Sequence, residues 1–204
     1  MPARTIVYID GFNFYHAVDD LGEPHLKWVD LWALSEKLLR ADQQLVGVKY
    51  FTAYATWRPA SYRRHQRYVA ALEARGVTPV IGRFKAKTVR CHAKCRQNYV
   101  THEEKETDVN IGVHLMADAL KDRFDRALVI SADTDLNSAV ELTRSEANGK
   151  RIDLVAPPGR KGRNSAALFE VTKGKIRSSL LPAQIQLSGG KVVNRPPEYD
   201  PPTS

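Results

Sequence analysis

Four aspartates lie where the sequence predicts strands and helices to begin or end, and together they could hold a divalent metal ion. Asp10 directly follows the first apolar run, Asp133 and Asp135 follow the fourth, and Asp108 begins the helical pattern that precedes the fourth. Carboxylate oxygens suit Mg²⁺ or Mn²⁺, which can activate water and orient a phosphodiester for in-line hydrolysis. Any one of these acids could instead shape a turn or cap a helix. Their joint occurrence predicts a metal-dependent catalytic site.

Polar side chains beside these acids are candidates for substrate binding. The amide of Asn13 could orient Asp10, contact a phosphate or cap a helix. Ser131 and Thr134 supply hydroxyls next to the acids, for hydrogen bonds either within the site or within a turn. Lys105, a short distance before the helix-start aspartate, could contact the scissile phosphate.

An alternation of strands and helices must position these residues. Short apolar runs predict buried strands at residues 5–9, 45–54, 77–84, 127–130 and 152–155. Spacing and end signals predict a helix after Asp30, a plausible N-cap, and helices over residues 61–75, 108–121, 135–147 and 167–181, the last broken at Gly174. This pattern is typical of an α/β doubly wound, mostly parallel sheet, whose sites form at the carboxyl ends of the strands.

One domain over residues 1–182 accounts for these elements. Residues 85–106 interrupt the alternation, because they are polar and basic and contain both cysteines, so they predict an inserted loop or a small ribbon. After Pro182 the chain is rich in Gly, Pro and polar residues, and we predict a disordered tail over residues 183–204.

The two cysteines of the insertion could contribute to a zinc site. Cys91 and Cys95 are spaced as C-x₃-C, and His102 follows. Together with His92 or a water molecule they could bind one tetrahedral Zn²⁺. The alternative is a pair of reduced thiols in a polar segment.

The charge balance favours a polyanionic partner. Lysine and arginine total 31 against 23 acids, a formal net charge of +8, and cationic surfaces bind phosphates with release of counterions. Basic residues cluster among aromatic residues at 57–68, within the insertion and at 160–163. This pattern suits single-stranded nucleic acid, although solvated helix faces and core aromatics would give a similar one.

The composition also excludes several classes of protein. Two cysteines cannot form a disulfide framework, the first residues lack an apolar run long enough for a signal peptide, and no apolar stretch is long enough to predict a membrane span. We therefore expect a cytoplasmic protein without a membrane partner.

Three motifs resemble the NYN domain of the LabA-like branch of the PIN-like nucleases. They are YIDGFN at residues 8–13, KETDVNIGVHLMADAL at 105–120 and ISADTDL at 130–136, and the resemblance extends from about residue 4 to 181. It implies a PIN-like three-layer α/β/α sandwich with a five-stranded sheet in the order 3-2-1-4-5. It also implies Mg²⁺- or Mn²⁺-dependent ribonuclease activity.

The resemblance assigns roles to particular residues of this chain. The family's metal-binding acids fall on Asp10, Asp108, Asp133 and Asp135, and the asparagine that follows the first acid falls on Asn13. The sequence departs from the family at Ala132, where a glycine is more usual, and this change needs only a compatible backbone angle.

The leading hypothesis is an endoribonuclease that hydrolyses single-stranded or flexible RNA with metal-activated water. A non-catalytic RNA-binding or assembly module and a structure-specific DNA nuclease stay open as alternatives. A phosphatase of the haloacid dehalogenase kind is disfavoured, because it needs a second aspartate where this chain has Phe12. Such domains commonly form homodimers, but no residue of this sequence requires one.

Overall fold

Strands and helices alternate along the chain in a computed structural model, which describes residues 1–91, 96–162 and 165–202. The strands are β1 (Ala3–Asp10), β2 (Gln43–Ala53), β3 (Thr78–Arg90), β4 (Asn98–Lys105), β5 (Arg126–Ile130), β6 (Arg151–Ala156), β7 (Phe169–Glu170), β8 (Gln184–Gln186) and β9 (Val192–Asn194). The helices are α1 (Gly11–Asp19), α2 (Leu31–Glu36), α3 (Pro59–Ala74), α4 (Thr107–Leu120), α5 (Leu136–Glu146) and α6 (Lys173–Arg177), and short 3₁₀ turns cover Pro24–Lys27, Ser188–Gly190 and Pro197–Tyr199.

The main sheet is mostly parallel, with the order β4-β3-β2-β1-β5-β6-β7. Only β4, at one edge, is antiparallel to its neighbour. The prediction of a five-stranded sheet is wrong, because the described part of the chain contributes seven strands. Strand β4 is largely exposed and polar, and β7 is only two residues long, so neither carries the apolar run that predicts a buried strand.

The sheet is covered on both faces, which gives three layers. Along β1, Val7 and Ile9 join a core cluster with residues of α1, α2, α3 and α6. The alternate residues Ile6 and Tyr8 join a second cluster with residues of α4 and α5. Successive side chains of a strand point to opposite faces, so one strand supplies both cores.

Two of the helix-end signals are confirmed by the structure. Asp30 caps α2, since its Oδ1 accepts hydrogen bonds from the backbone N–H groups of Trp32 and Ala33 at 3.0 and 3.1 Å. Gly76 follows α3 with φ of +88°, a left-handed conformation that glycine adopts without strain.

Residues 85–90 and 98–105 pair as a two-stranded ribbon, the second of the two alternatives predicted for the segment 85–106, and residues 92–95 lie outside the described residues. Strand β3 extends to Arg90 and pairs with β4, with Ala86 opposite His102 and Arg90 opposite Asn98. The ribbon returns the chain to the start of α4, beside Gly82 and Arg83 in the middle of β3.

The end of the chain corrects two predictions. Residues 167–181 do not form one helix, because β7 occupies Phe169–Glu170 and α6 has only five residues. Residues 183–202 are not a disordered tail: β8 and β9 pair as a hairpin, and Ile185 is buried in the core together with α1–α3 residues. A few apolar side chains anchor a segment whose average composition is polar. None of the described helices combines the length and apolar character that crossing a membrane requires.

Candidate active site

Asp10 lies at the carboxyl end of β1, where it is almost fully buried and held by three hydrogen bonds. Its Oδ1 accepts from the backbone N–H of Asn13 at 3.1 Å, and its Oδ2 accepts from Asn13 Nδ2 and Ser131 Oγ, both at 2.8 Å. The carboxylate is therefore fixed by α1, which it caps, and by the end of β5. Asn13 and Ser131 were candidates for substrate binding, and in this structure their hydrogen bonds orient the Asp10 carboxylate.

Gly11 lets α1 begin tightly against β2. A Cβ atom at this position would lie 2.5 Å from the carbonyl oxygen of Phe51 and 2.8 Å from the ring of Tyr50. Only glycine fits without movement of the backbone, so the residue after Asp10 is determined by the close approach of two elements. This contact fixes the direction in which the chain leaves the first strand.

Asp133 and Asp135 lie in the turn that follows β5. The backbone N–H of Asp133 donates to Ser131 Oγ at 3.0 Å, and the N–H of Asp135 donates to Asp133 Oδ1 at 2.9 Å. Asn13 Oδ1 accepts from the N–H of Ala132 at 3.3 Å, which ties this turn to α1. Asp135 is exposed, and so is Thr134, whose carbonyl oxygen accepts from the next turn of the chain.

Asp108 lies in the first turn of α4, close enough to the other acids to respond to their charges. Partial burial, and after it the negative charges of Asp10, Asp133, Glu104 and Asp135, together raise its pKa to about 6. The pKa of Asp10 is also raised, by burial first, and the charge of Asp133 adds to this against the hydrogen bonds from Asn13 and Ser131. The structure thus brings the aspartates predicted from the sequence into one electrostatic neighbourhood.

Glu104 is a member of this neighbourhood that the sequence did not single out. It lies on β4, and its Oε1 accepts from the backbone N–H of Thr107 at 3.2 Å and from the Thr107 hydroxyl. The available signal was its position four residues before the predicted helix start, and three before the observed start at Thr107, which suits a residue that caps the helix. Lys105 lies beside it but pairs with Glu103, at 3.0 Å between Nζ and Oε1.

The acid cluster, defined as Asp10, Asp108, Asp133, Asp135 and Glu104, lacks a cationic partner within the described ranges. None of the ion pairs between described residues includes any of these five carboxylates. In residues 1–91, 96–162 and 165–202 no three acidic, His or Cys side chains converge as a ready-made ligand set. Like charges with oxygen-only donors and no counter-charge fit a hard divalent cation.

The zinc site predicted from Cys91, Cys95 and His102 does not fit the ribbon register. His102 is opposite Ala86, which precedes Cys91 by five residues, so the two are separated by roughly 16 Å along the strand. This distance exceeds what two ligands of one zinc ion can span. The ring of His102 instead stacks on Trp57, with 3.6 Å between centroids and 6° between planes. Cys95 lies outside the described residues.

We expect Asp108→Asn to stabilise the metal-free protein at pH 7. The pKa of Asp108 rises from 3.8 to about 6 on folding, so the folded state holds the proton more tightly. Stability therefore falls as pH rises from about 4 to 6, and the full penalty of the charge is present above pH 6. After allowance for solvent screening and for a lost helix-dipole contribution, the gain is about 1 kcal/mol, or roughly 2–4 °C in Tm.

Thermal unfolding of both proteins in EDTA, at pH 7 and at pH 4, measures this gain. It should be present at pH 7 and absent at pH 4. A variant less stable than the wild type at pH 7 would show that the charge of Asp108 is not opposed by its neighbours.

A mostly parallel α/β/α sandwich, with acidic residues at the carboxyl ends of its central strands, is the architecture expected of a PIN-like domain. The model of the NYN domain family matches residues 4–175, so the chain belongs to this family, which suggests a nuclease of the PIN-like kind. Assignment to the LabA-like branch stays a prediction.

Two known proteins are similar to this chain. One is 6-hydroxy-3-succinoylpyridine 3-monooxygenase HspA of Pseudomonas putida, 27% identical over an alignment of 209 positions that covers 84% of this chain and 64% of that protein. This chain thus spans less than two thirds of the length of that relative. The other is a protein of unknown function from Vibrio parahaemolyticus, whose crystal structure superposes with a TM-score of 0.51 at 17% identity over 88% of this chain and 97% of the other. That likeness concerns the fold alone.

Proposed function

We propose that this protein is a ribonuclease that uses Mg²⁺ or Mn²⁺ at the acid cluster to hydrolyse phosphodiester bonds of single-stranded or flexible RNA. The observation that carries the proposal is the set of carboxylates around Asp108, whose negative charges add to burial in raising the pKa of that residue to about 6. Such repulsion destabilises the protein unless a cation offsets it, and a functional site is the usual reason to retain it.

The residues at this site would have different roles in metal binding, orientation and substrate binding. Asp10, Asp108 and Asp133 would hold the ion, with Asp135 and Glu104 at its margin. When bound, Mg²⁺ or Mn²⁺ supplies Lewis acidity at the phosphodiester and activates the attacking water. Asn13 and Ser131 keep the Asp10 carboxylate in one orientation through hydrogen bonds of 2.8 Å. In this proposal, Thr134 and Lys105 would contact the substrate.

The ribbon beside the acid cluster supports a polyanionic substrate. Arg83, Lys85 and Lys87 alternate along the exposed β3, so their side chains share one face of the ribbon. Strand β4, opposite them, leads directly into α4 and Asp108. A cationic face next to an anionic cluster can bind the phosphates that flank the scissile bond while the metal neutralises the cluster itself.

Cleavage of matched RNA and DNA oligonucleotides tests the proposal. We expect Mn²⁺-dependent cleavage of single-stranded RNA, abolished by EDTA and restored by added Mn²⁺. Equal cleavage of the DNA strand would favour the DNA nuclease alternative. RNA binding that is indifferent to Mn²⁺, with no product, would contradict hydrolysis and favour the non-catalytic binding module.

A further inference from the structure

A cleft of about 520 Å³ opens directly beside the acid cluster. This volume lies within the usual range of roughly 300–1,000 Å³ for sites that take small ligands or parts of larger ones. Its walls come from the start of α1, the end of β2, the middle of β3, α3, β4 and the turn at Pro197–Tyr199. The cleft therefore opens at the same carboxyl edge of the sheet as the acid cluster, but on the β2 side of β1, whereas Asp133 lies on the β5 side.

The walls of the cleft are mainly aromatic. Trp57 packs edge-on against Phe84 with 4.7 Å between centroids, and Phe84 packs edge-on against Phe12 at 5.4 Å. The ring of His102 lies parallel to Trp57 at 3.6 Å. Tyr15, which is exposed, and Tyr199 also line the cleft. We call these residues the aromatic wall: Phe12, Tyr15, Trp57, Phe84, His102 and Tyr199.

The deeper part of the cleft is formed by uncharged groups. Tyr50 is buried, and burial raises its pKa well above its ordinary value, so its hydroxyl is neutral at pH 7. Burial also lowers the pKa of His65 to about 4, so its imidazole is neutral at pH 7. His65 Nε2 lies 3.2 Å from the hydroxyl of Thr52, which leaves a polar but uncharged edge. A neutral planar ring suits this lining better than a phosphate does.

The cleft and the acid cluster are formed in part by the same segments of the chain. Gly11 and Phe12 line the cleft and directly follow Asp10. Glu104 also lines the cleft, and its charge contributes to the raised pKa of Asp108. A group in the cleft would consequently lie next to a phosphodiester at the acid cluster.

We propose that this cleft takes one unstacked nucleobase of the RNA strand whose phosphodiester lies at the acid cluster. The inference rests on the proposed function and gives it a substrate preference: the base must be free to leave a stack, so single-stranded segments are favoured over duplex. Aromatic side chains stack on bases of any identity, and the Thr52–His65 edge offers hydrogen bonds to a base edge. Exposed Arg58, which also lines the cleft, can contact the adjoining backbone.

The same chemistry, a planar heteroaromatic ring with a hydrogen-bonding edge, could also come from a free small molecule. The Pseudomonas putida relative is named for action on a hydroxypyridine, which is such a ring. We favour the base of a nucleotide strand, because the acid cluster adjoins the cleft and the cationic side chain of Arg58 lines it. A hydroxypyridine competitor separates the two sources.

Binding in EDTA tests the proposal without turnover. The probe is a short single-stranded oligoadenylate RNA with 2-aminopurine at one position, moved stepwise along the strand. We expect a fluorescence change confined to one or two positions. Trp57→Ala should weaken binding by roughly 5- to 150-fold, the usual effect of a lost base–aromatic stack. Trp57→Phe, which keeps an aromatic ring and the packing on Phe84, should retain most of the affinity.

Tyr99→Ala is the matched control, because Tyr99 is an exposed aromatic residue of the same ribbon that lies outside the cleft lining. Thermal unfolding of each variant checks that the fold is retained. Equal weakening by Trp57→Ala and Tyr99→Ala, or no effect of either, would overturn the proposal. So would a hydroxypyridine that binds the wild type but not Trp57→Ala and leaves the bound oligonucleotide in place.

Cleavage of RNA strands that carry one abasic nucleotide separates this inference from the proposed function. We expect one position near the cut to lower the cleavage rate of the wild type and to have no further effect in Trp57→Ala. A cleavage rate that does not depend on the position of the abasic nucleotide would overturn the base site and leave the proposed nuclease activity supported. Absence of cleavage in every strand, with position-specific binding intact, would count against the nuclease and leave the base site supported.

Discussion

Asp10→Asn is expected to lower kcat for Mn²⁺-dependent RNA cleavage by more than about 100-fold, the upper end of what loss of a mere orienting group costs at a metal site. Asparagine can still cap α1 by accepting from the backbone N–H of Asn13, so the fold should persist. What it loses is the negative charge that a divalent ion needs. Single-turnover cleavage of a labelled RNA strand measures the effect.

Asp30→Asn is the matched control for this prediction. Asp30 is also a buried N-cap aspartate, with 3% exposure against 2% for Asp10, but it pairs with Arg75 at 2.7 Å and caps α2, outside the acid cluster. Its replacement should leave kcat unchanged and affect stability only. Similar cleavage by the wild type and Asp10→Asn would remove Asp10 from the mechanism.

Asp118→Ala is expected to reduce the free energy of unfolding by about 3–5 kcal/mol, since it breaks a buried ion pair and leaves its cation unpaired. Asp118 is 1% exposed and accepts from Tyr8 OH at 2.7 Å, from Arg123 at 2.9 Å and from Lys49 Nζ at 2.5 Å. Burial raises the pKa of Asp118, but the hydrogen bonds from Lys49 and Tyr8 outweigh it and hold the pKa below its ordinary value.

Urea unfolding measures this loss, and Asp200→Ala provides the comparison. Asp200 pairs with Arg195 at 2.8 Å on the surface, with 58% of its side chain exposed, so its removal should cost at most about 1 kcal/mol. Similar losses for the two variants would mean that the Asp118 network adds little beyond a surface pair.

The central strands and the aspartates could be predicted because their signals are local. A short apolar run followed by Asp10 indicates both a buried strand and the edge of the sheet where that strand ends. The same holds for β5 and Asp133. Helix α4 carries apolar residues through most of its length, so its start, and with it the location of Asp108, was visible within two residues.

The remaining features depend on contacts between distant segments. Glu104 reaches the acid cluster only because β4 pairs antiparallel with β3, and nothing in its own surroundings indicates that pairing. The aromatic wall combines Trp57 and Phe84 with Tyr199, a residue of the segment predicted to be disordered. The pairing of β3 with β4 likewise separates Cys91 from His102, which sequence spacing alone placed together.

Anomalous diffraction from crystals of this protein soaked in Mn²⁺ tests metal binding at the acid cluster. We expect an anomalous peak between the carboxylates of Asp10 and Asp133, within coordination distance of Asp108, and its loss in crystals of Asp10→Asn. A soaked crystal with these three carboxylates turned apart toward solvent, and no anomalous density among them, would contradict this expectation.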